Sequence, residues 1–416
     1  MPILETIAHE GAASPRWLSI VGIGEDGVEG LGASARALIG AAETVFGGKR
    51  HLALAAPLIC GAARPWPSPF EGVADEVLRF RGRQVCVLSS GDPFLYGVGS
   101  TLARRIDAHE MLVVPAPSAF SLAAARLGWS LSQAALLSVH GRDVDLIRVH
   151  MQPGARLLVL TSDGDGPAVL ARLLTSLGFG ASRLTLLEAL GGPRERVRTT
   201  KANDFALGAV DALNTLAIEV EAAPDARIIA RACGLADHLF EHDGQITKRE
   251  VRAVTLSSLA PRRGELLWDI GSGSGSVAIE WLLADPGFMR AIAIEARADR
   301  AARIRRNAAA FGVPPLEVLH GAAPAALAGL PAPDAIFVGG GVSDAGVLDT
   351  ALAALPAGGR LVANAITLET EALLLARHAA LGGELIRIAI SRAAAVGEKT
   401  AWRPAMPVTH WCWVKP

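Results

Sequence analysis

Cysteine is scarce in this chain of 416 residues: Cys60, Cys86, Cys233 and Cys412 are the only four, and no two form a C-x-x-C pair. That argues against a disulfide framework and against a thiolate zinc site. The ten histidines include no H-E-x-x-H spacing, so no metal is expected. Lysine is equally thin, with five among 40 basic residues, and the formal net charge is −1. Without a basic block or stripe, nucleic acid is not an expected partner. No apolar run reaches the ~18 residues that a membrane span needs. The opening "MPILETIAHEGAASPR" lacks the basic start and long apolar core of a signal peptide. A cytoplasmic protein with no membrane partner is expected.

Hydrophobic residues make up 51% of the chain and charged residues 19%, a balance that suits compact α/β domains. The length exceeds what one core comfortably fills, so two domains are expected. In the first half, strand-like runs such as "WLSIVGIG", "QVCVLSSGDP", "MLVVPAPSAF" and "ARLLVLTSDG" alternate with helical stretches, among them "ASARALIGAAETVFG". That rhythm predicts a largely parallel sheet whose ligand crevice lies beyond the C-terminal ends of its strands. The rhythm fails around Glu221–Gly244, which places the boundary near Pro224 and gives domains 15–223 and 224–416. A second series follows: "TKREVRAVTLSSLAP" as a helix, "ELLWDIGSG" as a strand, "GSVAIEWLLA" as a helix, then "RAIAIEA", "DAIFVGGG" and "GRLVANAIT" as strands. The tail "VTHWCWVK" alternates like an edge strand, with Trp411 and Trp413 on one face.

Two glycine-rich breaks carry the chemistry. In the second half, Gly271-Ser272-Gly273-Ser274-Gly275 follows a strand and opens a helix, and Glu295 ends the next strand. Glycines let a backbone approach a ligand closely, and an acidic residue there accepts hydrogen bonds from ribose hydroxyls. A dinucleotide fingerprint would read G-x-G-x-x-G; this is G-x-G-x-G, with Asp269 two residues ahead. A carboxylate in that place suits a cationic ligand better than a pyrophosphate. This stretch resembles motif I of the Rossmann-like S-adenosylmethionine methyltransferases, whose donor carries an ammonium and a sulfonium. With "GQITKREVR" before it and "HGAAPAAL" and "DAIFVGGG" after it, the second half resembles the precorrin C15-methyltransferase and decarboxylase domains. The resemblance implies donor contacts at Thr247, Asp269, Gly271, Ser272, Gly273, Ser274, Gly275, Glu295 and the Gly321, Ala322, Ala323 turn. Ala322 stands where that family usually has an acidic residue. Thr247 also reads as a helix N-cap, with Glu250 completing a capping box.

The first half holds "VGIGEDG", "SSGDPFLYG", "PAPSAF", "SVHGRD" and "LEALGGPRERV" in that order, each after a strand-like run. As a set they resemble the tetrapyrrole methylase family, which uses the same methyl donor on a different fold. The resemblance implies a cleft lined by Gly22, Gly24, Ser90, Gly91, Asp92, Pro93 and Ser118, with Asp92 serving chemistry or substrate placement. The family's usual G-x-G-P-G-D reads G-I-G-E-D-G here, without the proline. His140 and Arg142 read alone as an ordinary histidine and a surface ion-pair partner; the resemblance implies contacts to substrate carboxylates. The fold implied is a tetrapyrrole methylase-type α/β domain followed by a Rossmann-like S-adenosylmethionine methyltransferase domain.

Over nearly its whole length the chain resembles the corrinoid-pathway enzymes that fuse these two domains. The resemblance implies two S-adenosylmethionine sites and methylation of precorrin-6Y at C5 by the first domain. The second domain would methylate C15 and remove the ring C acetate carboxyl, giving precorrin-8X in cobalamin synthesis. It also implies a homo-oligomer. Glu369, in "NAITLET", reads either as an exposed helix-start residue or as a contact near the decarboxylation site. A nucleic-acid methyltransferase would want a basic face or an N/D-P-P-Y/F motif, and neither is present. A nicotinamide oxidoreductase is disfavoured by the glycine spacing and Asp269, and a scaffold protein would need neither set of loops.

Overall fold

The computed structural model describes residues 16–67 and 70–416. All of the opening stretch but Arg16, and the domain start at residue 15, lie outside the described residues. The chain divides into two compact units, Met1–Arg142 with Pro153–Arg227, and Asp143–Gln152 with Ile228–Pro416.

In the first unit, β1 (Leu18–Ile23), β2 (Thr44–Gly47), β3 (Ala62–Pro65), β4 (Val85–Ser90) and β5 (Met111–Val114) form an all-parallel sheet, ordered β3-β2-β4-β1-β5. β1 and β4 are buried almost throughout, as parallel strands covered on both faces must be. A second sheet holds β6 (Ala134–Ser138), β7 (Arg156–Leu160), β8 (Arg183–Glu188), β9 (Arg196–Lys201) and β10 (Asn214–Glu219), ordered β6-β7-β10-β8-β9. Only its β6–β7 pair is parallel. The expectation of a largely parallel first half therefore describes one sheet of two. β8 and β9 are joined by Ala189–Glu195, too short for the crossover a parallel pair needs. The stretch "ASARALIGAAETVFG" is not one helix either. The helix ends at Ala41, and "TVFG" becomes the fully buried β2.

In the second unit, β11 (Leu266–Ile270), β12 (Arg290–Glu295), β13 (Glu317–His320), β14 (Ala335–Val338) and β15 (Arg360–Ala365) are parallel neighbours. β16 (Glu384–Ile388) and β19 (Val408–Val414) complete the order β13-β12-β11-β14-β15-β19-β16, while β17 (Ser391–Val396) and β18 (Lys399–Pro404) make a separate hairpin. The tail is thus an interior strand, not an edge. β19 runs antiparallel to both β15 and β16, and β16 takes the edge. Trp411 is fully buried in the core that packs on the sheet face with Leu361 and Leu374, its ring stacked on Trp413 at 6.4 Å. β11 has β12 on one side and β14 on the other, which makes its C-terminal end the topological switch point where such sheets open a crevice. Among the described residues no helix is long and apolar enough to cross a membrane.

Candidate functional site

At the switch point of the second unit the chain leaves β11 through Gly271, Gly273 and Gly275, all with positive φ (69°, 61° and 78°). Gly271 has a second reason to lack a side chain. A Cβ there would stand 2.6–2.7 Å from the backbone of Gly340, in the loop after β14. The two loops bound a cavity of about 460 Å³, within the range of small-molecule sites. Its lining includes Thr247, Gly271, Ser272, Gly273, Glu295, Gly321, Ala322 and Ala323 from the motifs read in the sequence.

Three of the predicted donor residues stand behind that surface. Asp269 is buried beneath the loop; its Oδ2 accepts from the Ser272 hydroxyl at 2.7 Å and from the Ala278 N–H at 3.1 Å, while Oδ1 has no partner. The carboxylate therefore ties the loop to the first turn of the helix Ser276–Ala284. Burial pushes its pKa up to about 6, opposed by those two hydrogen bonds and helped by the charge of Glu295. Ser274 is fully buried, and Gly275 sits where a Cβ would meet Ile304 at 2.7 Å. Thr247 is not the helix cap: the cap position of Arg249–Leu259 is Lys248, and no side chain caps it. Glu250 pairs with Arg392 instead of reaching back.

Glu295 holds the loop from the neighbouring strand. Its Oε2 accepts from the Gly273 N–H at 2.8 Å and its Oε1 from the Arg297 N–H at 3.0 Å. Each carboxylate oxygen has two lone pairs, so capacity remains for a pair of ligand hydroxyls. The glycine cradle and the Glu295 carboxylate that faces it fit a nucleoside ligand. Glu369 is exposed on the helix Leu368–Leu381 and is not part of the cavity lining, whereas Thr367 and Thr370 are. The triple glycine Gly339–Gly341, Asn364 and Lys248 also line the cavity and were not singled out by sequence reasoning. The "FVGGG" run after a strand was the available signal; Asn364 carried none.

The first unit converges three strand ends. A Cβ on Gly22, next to last in β1, would lie 1.9 Å from Gly91 O and 2.6 Å from Ala116 N, so only glycine lets the loops after β1, β4 and β5 meet. They are laced by Gly91 N–H donating to Ile23 O (3.2 Å) and Ala116 N–H to Gly91 O (3.1 Å). Asp92 turns its own loop, with Oδ1 accepting from the Phe94 N–H at 2.8 Å. Pro93 is buried, and Ser118 caps the helix Ala119–Leu127 by accepting from the Ser121 N–H. Gly24, Ser90 and Gly91 line a narrow cavity of about 80 Å³ facing Leu160, Leu187 and Asn214 of the second sheet. His140 and Arg142 are exposed: the His140 ring meets Thr161 O at 3.3 Å, and Arg142 lies over the Tyr96 ring at 5.5 Å.

A polar cluster at this cleft escaped the sequence reading. Arg50 pairs with Glu25 and donates to Ser90 Oγ at 2.9 Å, and the His51 ring meets the same hydroxyl at 2.8 Å. Burial, with Arg50 adjacent, drives the His51 pKa down to about 4 and keeps it neutral. "KRH" at a helix start otherwise reads as a solvated face. Among the described residues no group of three or more His, Cys, Asp or Glu side chains is placed to hold a metal ion.

Comparison with known proteins matches each half to a family. Residues 18–206 match the Tetrapyrrole (Corrin/Porphyrin) Methylases, and residues 238–415 match the Precorrin methyltransferase domain. A precorrin-6Y C(5,15)-methyltransferase [decarboxylating] from Sinorhizobium sp. is 62% identical over 406 residues, 98% of each chain. Two shorter relatives match part of the chain. A "Probable cobalt-precorrin-6B C(15)-methyltransferase (decarboxylating)" of Pyrobaculum calidifontis is 37% identical over 42% of this chain and 92% of its own. A cobalt-precorrin-7 C(5)-methyltransferase of Salmonella typhimurium is 28% identical over 43% of this chain and 88% of its own. With a relative matched from end to end at that identity, the chain belongs to the precorrin-6Y C(5,15)-methyltransferase (decarboxylating) family.

Proposed function

We propose that this protein methylates precorrin-6Y at C5 and C15 and removes the ring C acetate carboxyl, giving precorrin-8X in cobalamin biosynthesis. The observation that carries the reading is the presence of two separate glycine-built strand-end sites, one in each unit. Residues 15–223 would form the C5-methylating domain, and residues 224–416 the domain that methylates C15 and decarboxylates. Relatives named for a single methylation are about the size of one half, which supports that division. The same reading makes the protein a cytoplasmic homo-oligomer that needs neither a metal nor nucleic acid.

S-adenosylmethionine, when bound, supplies an already activated methyl group, so the protein's task is mainly alignment and exclusion of water. In the second unit Glu295 would accept from ribose hydroxyls, while Thr247, Gly271–Gly273 and Gly321–Ala323 would pack on the nucleoside. Asp269, Ser274 and Gly275 would act from below by holding the loop in shape. In the first unit the Gly22–Gly24 and Ser90–Pro93 loops, with Ser118 fixing the third, would line the donor cleft. Asp92 would place the substrate, and His140 and Arg142 would meet its carboxylates. Decarboxylation leaves an electron pair that the conjugated macrocycle can accept. The protein then has only to hold the acetate out of the ring plane, with Glu369 proposed to contact it at the rim.

Mass spectrometry of precorrin-6Y incubated with the protein and S-adenosylmethionine tests this. Two methyl gains with one loss of carbon dioxide are expected. Unchanged substrate with intact donor binding would overturn the corrinoid assignment. Asp269→Ala is expected to abolish C15 methylation and decarboxylation while sparing C5. Equal loss of all three would sink the division of labour.

A further inference from the structure

The cavity of the second unit has a polar group on the far side from Glu295. Asn364 lies one residue from the end of β15, opposite His410 in the β15–β19 register. Its side chain is held from two directions: Oδ1 meets His410 Nδ1 at 2.8 Å, and Nδ2 donates to Thr255 Oγ1 at 3.0 Å. The other nitrogen of His410, Nε2, meets Ser258 Oγ at 2.9 Å. Thr255 and Ser258 sit three residues apart on one face of the helix Arg249–Leu259. His410 and Thr255 are at most 1% exposed.

The donors and acceptors in this network can be assigned. An amide oxygen only accepts, so His410 carries its proton on Nδ1 and receives the Ser258 hydroxyl at Nε2. Burial holds the imidazole pKa down to about 4, which keeps it neutral in that tautomer. These bonds use the carbonyl oxygen of Asn364 and one of its two N–H groups. The second N–H is left over on a residue that lines the cavity.

Its place in the sheet indicates what it would meet. Glu295 ends β12, the glycine loop follows β11, and β14 separates that loop from β15. Three strand spacings put Asn364 about 14 Å from the Glu295 end of the crevice. If the nucleoside occupies the β11–β12 end, the β15 end receives the methyl acceptor. On the rim there Ile366, 55% exposed, and Val408 supply apolar surface next to the hydroxyls of Thr367 and Thr370. That surface suits the flat face of a macrocycle, with a hydrogen-bond donor beside it for a peripheral carboxylate. We propose that Asn364 donates its free N–H to a carboxylate of the tetrapyrrole acceptor and that His410, backed by Ser258, is the positioning residue that aims it. This rests on the function proposed above.

The test uses the full chain, precorrin-6Y and [methyl-13C]S-adenosylmethionine, with NMR reading the C5 and C15 methyl groups separately. Asn364→Asp keeps the shape and the bond from His410, and the Thr255 hydroxyl can donate where it now accepts, but the change sets a negative charge against the acceptor's carboxylate. It is expected to cut C15 kcat/KM by tenfold or more, mainly through KM for the tetrapyrrole, with donor titration and C5 methylation unchanged. His410→Ala should lower C15 kcat/KM about fivefold, and His410→Asn, which restores a donor near the Nδ1 position, should recover most of it. Asn364→Leu, which keeps the branched shape but has no N–H, should repeat the KM effect if the aspartate variant does not fold. An unchanged tetrapyrrole KM in folded Asn364 variants, or a shift in donor affinity instead, overturns the proposal. No turnover of precorrin-6Y by the unaltered protein, with donor still bound, overturns the function and this proposal with it.

Discussion

Replacing Gly22 with alanine should silence one methylation and leave the other. The new Cβ would stand 1.9 Å from Gly91 O and 2.6 Å from Ala116 N, both backbone atoms, so no side-chain rotation relieves the clash. Bringing the nearer contact out to 3.0 Å requires the β1 and β4 loops to separate by about 1 Å. The cost falls on the two lacing bonds, Gly91 N–H to Ile23 O and Ala116 N–H to Gly91 O. At about 0.5–1.5 kcal/mol each, their loss is about 1–3 kcal/mol. A domain stable by roughly 5–15 kcal/mol stays folded through that. A misplacement of about 1 Å at the reacting centre, however, can cost about 10²-fold in rate. With [methyl-13C]S-adenosylmethionine and precorrin-6Y, the C5 label should therefore appear about 10²-fold more slowly. Gly271→Ala is the reciprocal perturbation: its Cβ would meet Gly340 backbone atoms at 2.6–2.7 Å from a residue whose φ is +69°. That variant should lose C15 methylation and decarboxylation and retain C5. C5 methylation within threefold of normal in Gly22→Ala, or equal suppression of both methylations by both variants, would contradict two separately locked clefts.

Further consequences concern single residues of the second unit. Glu295→Gln keeps an oxygen for the Gly273 N–H but removes the charge, so the donor's dissociation constant there should rise roughly 10- to 100-fold, since hydrogen bonds to charged groups contribute about 1.5–3 kcal/mol. An unchanged calorimetric isotherm would reject the ribose contact. Burial raises the Asp269 pKa from the ordinary aspartate value of 3.8 to about 6 in the fold. Its contribution to stability is therefore present below about pH 4 and lost as pH rises through 6. Relative to the unaltered protein, ligand-free Asp269→Asn should gain on the order of 1 kcal/mol between pH 5 and pH 7 in urea unfolding. A difference independent of pH would contradict the burial argument. Trp411→Ala removes a fully buried ring and its bond to Gly382 O, at a cost of about 3–5 kcal/mol. Calorimetry should show a transition lowered by several degrees, and an unmoved transition would mean that β19 is not a core strand.

The strand–loop–helix at Leu266–Ala284 was legible because each part has a local cause. A parallel strand covered on both faces reads as an unbroken apolar run, and glycines with positive φ have few substitutes. What escaped reading depends on partners far along the chain. β9, "RVRTTK", exposes most of its side chains and exists because β8 offers it a ladder. β2, "TVFG", follows its helix without punctuation, so helical periodicity ran on through it. Whether β19 is an edge depends on β16, more than twenty residues earlier, and not on its own alternation. The site divides in the same way. Its glycines and Glu295 could be read, but Asn364 gains meaning only once His410 and Thr255, from another strand and a helix, close around it.

The same distinction bears on why one chain would carry two clefts. C5 and C15 are bridging carbons on opposite sides of the macrocycle, and methyl transfer demands that acceptor, methyl and leaving sulfur lie in line. A preorganised cleft holds one such line. To serve both carbons, a single site would have to release the substrate, turn it by about half a revolution, and regrip a different set of peripheral carboxylates with equal accuracy. Loops locked as tightly as Gly22 against Gly91, or Gly271 against Gly340, leave no room for two registers. Rigidity that places one carbon to within about 1 Å is incompatible with tolerance for the other. Two sites built on different folds remove that conflict, because each can be rigid about its own acceptor. On this argument, loosening either loop should not broaden its unit to the second carbon; it should only lose the first.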